Sequence, residues 1–113
     1  MDYSEKEYKH FRDIFRDAEK RQIYLFGSGV YARRFFDRYG ADYELAGVLD
    51  NNPEKWGKEW SGLLIFPPEH LRSLTPGSYK VFICIKDCMP VIRQMEEMGI
   101  QDYSVYDNSQ EEY

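Results

Sequence analysis

The sequence predicts an α/β fold in three layers, a mostly parallel sheet of about five strands with helices on both faces. Three observations carry that prediction. Short runs rich in β-branched and aromatic residues alternate with stretches of helical apolar spacing. VFICI, at residues 81–85, is continuously apolar, as suits a central parallel strand buried on both faces. QIYLF, at residues 22–26, breaks into Gly27-Ser28-Gly29 where a helix is due to begin.

The elements follow in order. Over residues 4–20, Ser4 and Glu7 have capping-box spacing, and Tyr8, Phe11, Phe15 and Ala18 make one apolar face. This extra N-terminal amphipathic helix can cover the sheet or pair with a second subunit. Gln22 to Phe26 is the first strand, and a helix from Val30 to Tyr39 follows. Val30, Phe35, Phe36 and Tyr39 form its expected buried side, and Gly40 suits a left-handed C′ position. Tyr43 to Leu49 is the second strand, ending at Asp50. NNPEKWGKEWSG then reads as a turn-rich linker.

Leu63 to Phe66 is a brief third strand. Pro67 and Pro68 open a short helix carrying Leu71 and Leu74, stopped by Thr75-Pro76-Gly77. Tyr79 to Ile85 is the fourth strand. Asp87 is the expected N-cap of the last helix, with Pro90 in its first turn and Gly99 at its end. Val91, Ile92, Met95 and Met98 are its apolar stripe, and Tyr103 to Tyr106 is a final edge strand. Residues 107–113 form an acidic, frayed tail. Residues 1–113 thus read as one domain, and right-handed crossovers give the order 3-2-1-4-5, a small Rossmann-like sheet.

Composition narrows the function classes. The chain has 113 residues, 42% apolar and 17% aromatic, with ten Tyr and seven Phe. Fifteen Lys and Arg against twenty Asp and Glu leave a net charge of −5. Such a chain is a poor match for polyphosphate backbones, so no nucleic-acid partner is expected, although a local anion site is compatible with the charge. No apolar stretch approaches the roughly 20 residues that span a bilayer, so no membrane insertion is expected. The polar N-terminus MDYSEKEYKHFRD is unlike a signal peptide. Cys84 and Cys88 make neither a disulfide framework nor a zinc site, so no metal is expected and a reduced, cytoplasmic chain is the default.

Gly27-Ser28-Gly29-Val30-Tyr31-Ala32 fits G-x-G-x-x-G/A. In that pattern Gly27 permits the turn off the strand, Gly29 lets a phosphate approach the backbone, and Ala32 lets helix and strand pack closely. The helix start behind them, at Val30 and Tyr31, offers unpaired N–H groups to an anion. Tyr31 either narrows the pocket or stacks on a ring. Asp50 closes the second strand about 20 residues on, where a carboxylate can accept from ribose hydroxyls. Lys86, at the end of the fourth strand, faces the same crevice and can pair with a phosphate or remain a plain loop lysine. The alternative for the whole motif is a structural turn, with Asp50 capping a loop.

Other conspicuous residues have simpler readings. Arg33 and Arg34 are most simply surface residues, though one could fold back onto a phosphate. Trp56 and Trp60 are expected to pack over the sheet end rather than cap the pocket mouth. His10 and His70 stand without partners, and neither is assigned a catalytic role.

DNNPEKWGKEWSGLLIFPPEHL, taken with YLFGSGVYARRFF before it and VFICI and MEEMGI after it, resembles a Rossmann-like module of bacterial sugar and polysaccharide pathways. That module is the N-terminal domain of sugar O-acyltransferases, where it holds a UDP-sugar. It also precedes FkbM-like methyltransferase domains and overlaps the CoA-binding-like group. The resemblance covers roughly residues 20–105 and is most specific at Asp50-Asn51-Asn52-Pro53, Lys55 and Gly57. It implies that Gly27, Ser28 and Gly29 face nucleotide phosphates and that Asp50 and Asn51 lie near the ribose or base. The acetyl-transfer repeats and the methyltransferase domain of those proteins have no counterpart here.

The function expected is therefore a non-catalytic nucleotide or nucleotide-sugar binding module of sugar metabolism, acting as a homodimer or with a partner transferase. A mononucleotide-type ligand fits 113 residues better than NAD(P), which needs a second half; S-adenosylmethionine and CoA are further candidates. Two alternatives stand beside it. One is a scaffold or oligomerisation domain that keeps the fold without a ligand. The other is a small enzyme or transferase subunit using the Cys88 thiol at a helix start, for which no His or acid is placed nearby. A phosphoacceptor receiver domain is set aside, because Phe26-Gly27-Ser28 lacks paired acids.

Overall fold

The computed structural model describes residues 21–106. The helix expected over residues 4–20 and the tail at 107–113 lie outside the described residues. The elements are β1 (Gln22–Phe26), α1 (Val30–Tyr39), β2 (Leu45–Leu49), β3 (Glu59–Trp60), β4 (Leu63–Phe66), β5 (Tyr79–Ile83), α2 (Met89–Glu97) and β6 (Tyr103–Val105). Short 3-10 helices occupy Pro53–Lys55 and Pro68–Ser73.

β1 is central because it is apolar on both faces. Ile23 to Phe26 are all buried, and β1 pairs in parallel with β2 on one side and β5 on the other. Ile23 and Leu25 face α1, packing with Ala32, Phe35, Val48, Phe82 and Tyr106. Tyr24 and Phe26 face the opposite layer, with Leu49, Leu71, Val81, Ile83, Val91 and Met95. That layer is built from α2 and the 3-10 helix at Pro68–Ser73, which makes the three-layer α/β sandwich.

The sheet order is β3-β4-β2-β1-β5-β6. Its five parallel strands follow the expected 3-2-1-4-5, and β3 adds an antiparallel edge. β3 comes from the stretch expected to be linker. Ser61 and Gly62 both take left-handed φ, 54° and 83°, a turn whose twist suits a two-residue hairpin and pairs Trp60 with Leu63. Two residues are too few to display strand alternation, so the Ser-Gly turn was the only local signal.

Several local expectations need correction. Val30 is 65% exposed, because the first residue of α1 stands beyond the sheet end; Ala32 and Phe35 are the buried side. Gly40 has a right-handed φ of −61°, and its need for glycine is a close approach instead. A Cβ there would stand 2.6 Å from the Phe36 carbonyl oxygen. The N-cap of α2 is Cys88, not Asp87, and no side chain caps it. The segment after the paired prolines is 3-10 rather than α, closed by the Leu74 N–H donating to the Leu71 carbonyl at 3.2 Å. β2 and β5 are each two residues shorter than expected, starting at Leu45 and ending at Ile83. Gly99 does end α2. Its φ of +76° lets Ile100 N–H reach the Met95 carbonyl at 2.9 Å and Gly99 N–H the Glu96 carbonyl at 3.0 Å.

His70 also has partners, contrary to expectation. It shares a 3.2 Å hydrogen bond with the Tyr24 hydroxyl and stacks on Phe66 with ring centroids 4.1 Å apart. Burial lowers the His70 pKa below the usual histidine value and raises that of Tyr24. The folded chain therefore binds the His70 proton less readily than the unfolded chain does. This contribution to stability is present above the usual histidine pKa of about 6.5 and is lost as pH falls through the lower, folded value. Melting temperature measured from about pH 7.5 down to pH 5 should decline in the parent and decline less in His70→Gln. Equal slopes would count against the assignment.

Candidate functional site

β1 ends where the backbone has no room for a side chain. Gly27 takes a φ of +111°, and a Cβ on it would stand 2.8 Å from Ile85 Cγ1 and 2.9 Å from the Cys84 carbonyl oxygen. Its N–H donates to the Leu49 carbonyl at 2.8 Å, so the chain leaves the sheet pinned between its two neighbours. Gly29 then starts α1 with no side-chain cap. The first-turn amides of a helix have no partner within it. A Cβ on Gly29 would meet nothing within 4 Å, and Gly29, Val30 and Tyr31 border open space.

That space is a cleft of about 420 Å³, within the size range of small-ligand sites. Gly27, Ser28, Gly29, Val30, Tyr31, Asp50 and Lys86 line it, seven of the sequence-predicted residues. Asn51 does not. Its carboxamide is turned to Gln94 on α2 and paired there. Lys55 lines the cleft and is missing from the sequence-based set, although it lies in the motif that carries the resemblance. Its place depends on the 3-10 turn at Pro53–Lys55, which folds the linker back over the sheet end. Cys84 and Ile85 complete the wall.

The polar groups are interlocked. Ser28 Oγ donates to Asp50 Oδ2 at 2.9 Å and accepts from Lys55 Nζ at 3.1 Å. Lys55 Nζ lies 3.7 Å from Asp50 Oδ2, and Asp50 Oδ1 accepts the Asn52 N–H at 2.9 Å. Both tryptophans brace these loops. Trp56 Nε1–H donates to the Asp50 carbonyl at 2.7 Å, and Trp60 Nε1–H to the Ser28 carbonyl at 3.1 Å. Trp60 packs against the core as expected, whereas Trp56 is 41% exposed, and the two indole N–H groups fix the loops that form the cleft.

Arg33 is committed elsewhere. Its guanidinium lies over the Trp60 ring at 4.7 Å, and it bonds Asp37 at 3.3 Å and the Ser61 hydroxyl. That supports the surface reading for Arg33. Cys84 is buried with its thiol 3.5 Å from the Phe82 carbonyl, and Cys88 is half-buried at the start of α2. Among the described residues, no three His, Cys, Asp or Glu gather as a metal site, and no helix is long and apolar enough to cross a membrane.

No family model and no curated protein matches the sequence. Solved structures do match. A Rex-family repressor, RSP, superposes with a TM-score of 0.58 at 16% identity, over 91% of this chain and 53% of that one. The fold is Rossmann-like. RSP in complex with β-NADH matches at 0.56 and 14% identity, covering 91% of this chain and 53% of that chain. RSP with β-NAD+ and operator DNA matches at 0.53 and 15% identity, over 90% of this chain and 57% of that chain. This chain therefore spans about half the length of these neighbours, and at such identities they share its fold.

The exclusion of nucleic acid on charge is corrected by the last of these, in which a protein containing this fold is solved on operator DNA. Net charge sums a whole chain, whereas phosphates meet a local patch, so −5 does not exclude such a partner.

The two glycines of the loop should separate experimentally. Gly27→Ala forces a side chain into left-handed backbone and against a carbonyl, and should cost about 2 kcal/mol or more in denaturant unfolding. Gly29→Ala should leave the unfolding midpoint within about 0.5 kcal/mol of the parent. Equal losses would mean that the open space at Gly29 is wrongly placed.

Proposed function

We propose that the chain holds a nucleoside diphosphate, with its phosphates on the amino end of α1. The observation that carries this is the uncapped helix start with open space at Gly29. In this reading Gly27, Ser28 and Gly29 shape the phosphate seat, and the amides at Val30 and Tyr31 complete it. Lys55 and Lys86 add positive charge from opposite sides. Asp50 faces the ribose hydroxyls with the lone pairs that Ser28 and Asn52 leave unused. Its charge disfavours a 2′-phosphate, so NAD(H) suits the site better than NADP(H).

Two of the expected ligands carry this moiety with both ribose hydroxyls free. NAD(H) is supported by the solved neighbour in complex with β-NADH and β-NAD+. A UDP-sugar is supported by the resemblance of the Asp50-Asn51-Asn52-Pro53 segment to the sugar-pathway module. The shared chemistry, a ribose diol joined to a diphosphate, is the proposal; sugar metabolism and partner enzymes belong to the second ligand only.

Isothermal titration with NADH, UDP-glucose, CoA and S-adenosylmethionine tests it. At least one diphosphate ligand should bind, and S-adenosylmethionine, which has no phosphate, should not. Lys55→Ala should weaken the bound ligand about fivefold, the loss of one charge-assisted contact near the surface. Gly29→Val should abolish binding while the protein stays folded. No heat from any diphosphate ligand at millimolar concentration would end the proposal.

A further inference from the structure

A second cavity, of about 280 Å³, lies at the amino end of the sheet, away from the cleft at Gly27. Tyr79 opens β5 there, and Asp102 sits just before β6, its carbonyl accepting the Val81 N–H at 2.9 Å. Leu71, Leu74, Met98 and Ile100 make the apolar part of the wall. Tyr79 is 4% exposed, yet its hydroxyl makes no hydrogen bond with any described residue. No described side-chain oxygen that is sealed from solvent lacks a partner, so this hydroxyl opens onto the cavity it lines. Buried tyrosine hydroxyls usually find a partner within the protein. Burial raises the Tyr79 pKa, and the nearby Asp102 charge raises it further, so the hydroxyl keeps its proton. Asp102 Oδ1 accepts from Arg21 Nη1 at 3.2 Å, while Oδ2 takes no hydrogen bond from a described residue.

We infer that this cavity binds a small amphipathic amine, with its ammonium on Asp102 Oδ2 and the Tyr79 hydroxyl oxygen and its apolar body against Leu71, Leu74, Met98 and Ile100. The inference is independent of the nucleotide reading, because the two openings share no residue. Charge selects a cation. α2 ends at Glu97 beside the cavity, and the carboxyl end of a helix favours positive charge. Glu96 lines an adjoining hollow that shares Gly99, Ile100 and Gln101 with the cavity. The two arginines nearby are already matched by acids, Arg21 by Asp102 at 3.2 Å and Arg72 by Glu69 at 2.8 Å. An ammonium carries three donors and no acceptor, so it suits two oxygens with lone pairs to offer. The volume, at the small end of ligand sites, admits a body of one ring or a short chain.

The test is an amide-shift titration by NMR of the full chain with phenethylamine, 2-phenylethanol and phenylacetate, which share a ring and differ in charge. Phenethylamine should give saturable shifts at the amides of Gly99, Ile100, Gln101 and Asp102, and phenylacetate should not. The neutral alcohol should bind about tenfold more weakly or worse, for want of the charge-assisted bond. Tyr79→Phe removes only the unpaired hydroxyl, so it should keep the parent melting temperature and weaken phenethylamine about fivefold. Asp102→Asn should erase the preference for the amine over the alcohol. That ratio within one protein stays informative if loss of the Arg21 pair lowers stability. No saturable shift with phenethylamine at millimolar concentration overturns the inference. Phenylacetate binding as well as the amine also overturns it, because the cavity is then merely greasy. Unchanged amine affinity in Tyr79→Phe does the same. So does a clear fall in its melting temperature, which would mean that the hydroxyl is already paired in the folded chain.

Discussion

At Gly27 the backbone of β1 passes so near the Cys84 carbonyl and the Ile85 side chain that a methyl group would stand within 3 Å of both. This contact decides the geometry of the whole carboxyl end of the sheet. Because the strand can turn there, α1 begins directly above β1 and returns over the face that holds Ile23 and Leu25. Its first-turn amides are consequently left at the sheet end, in front of open space, instead of being buried in a layer.

Around that opening, charge serves orientation more than stability. The Lys55–Asp50 pair, at 3.7 Å with Lys55 about half exposed, is of the kind that contributes little to folding. Its value lies in holding the Ser28 hydroxyl and the Asp50 carboxylate in a defined arrangement. The tryptophan N–H bonds to loop carbonyls do the same for the main chain.

The aromatic bias of the composition finds its place on the α1 face. Phe35 packs against Phe82, Tyr39 and Tyr106, with ring centroids 5.0–5.2 Å apart. Large flat rings let a small sheet bury much area beneath one short helix. Trp60 extends the same stacking to the edge through Phe36, which ties the β3 hairpin to α1.

Alternation of apolar runs and the glycine break settled, by sequence alone, the α/β class, the order of the five parallel strands and the place of the loop at Gly27. These are local or patterned properties, and right-handed crossover reduces the remaining choices to a few. The sequence also placed seven of the cleft residues, because strand ends and helix starts converge at a switch in sheet order. Only the tertiary structure decided the rest. Lys55 enters the cleft, Asn51 leaves it for Gln94, and Arg33 turns to Trp60, since each depends on how a loop folds back across elements distant in sequence. His70 gained its hydrogen-bond partner in the same way, from a strand 46 residues away. Periodicity reports which face of an element is buried; it carries no information about which polar side chains meet across the ends.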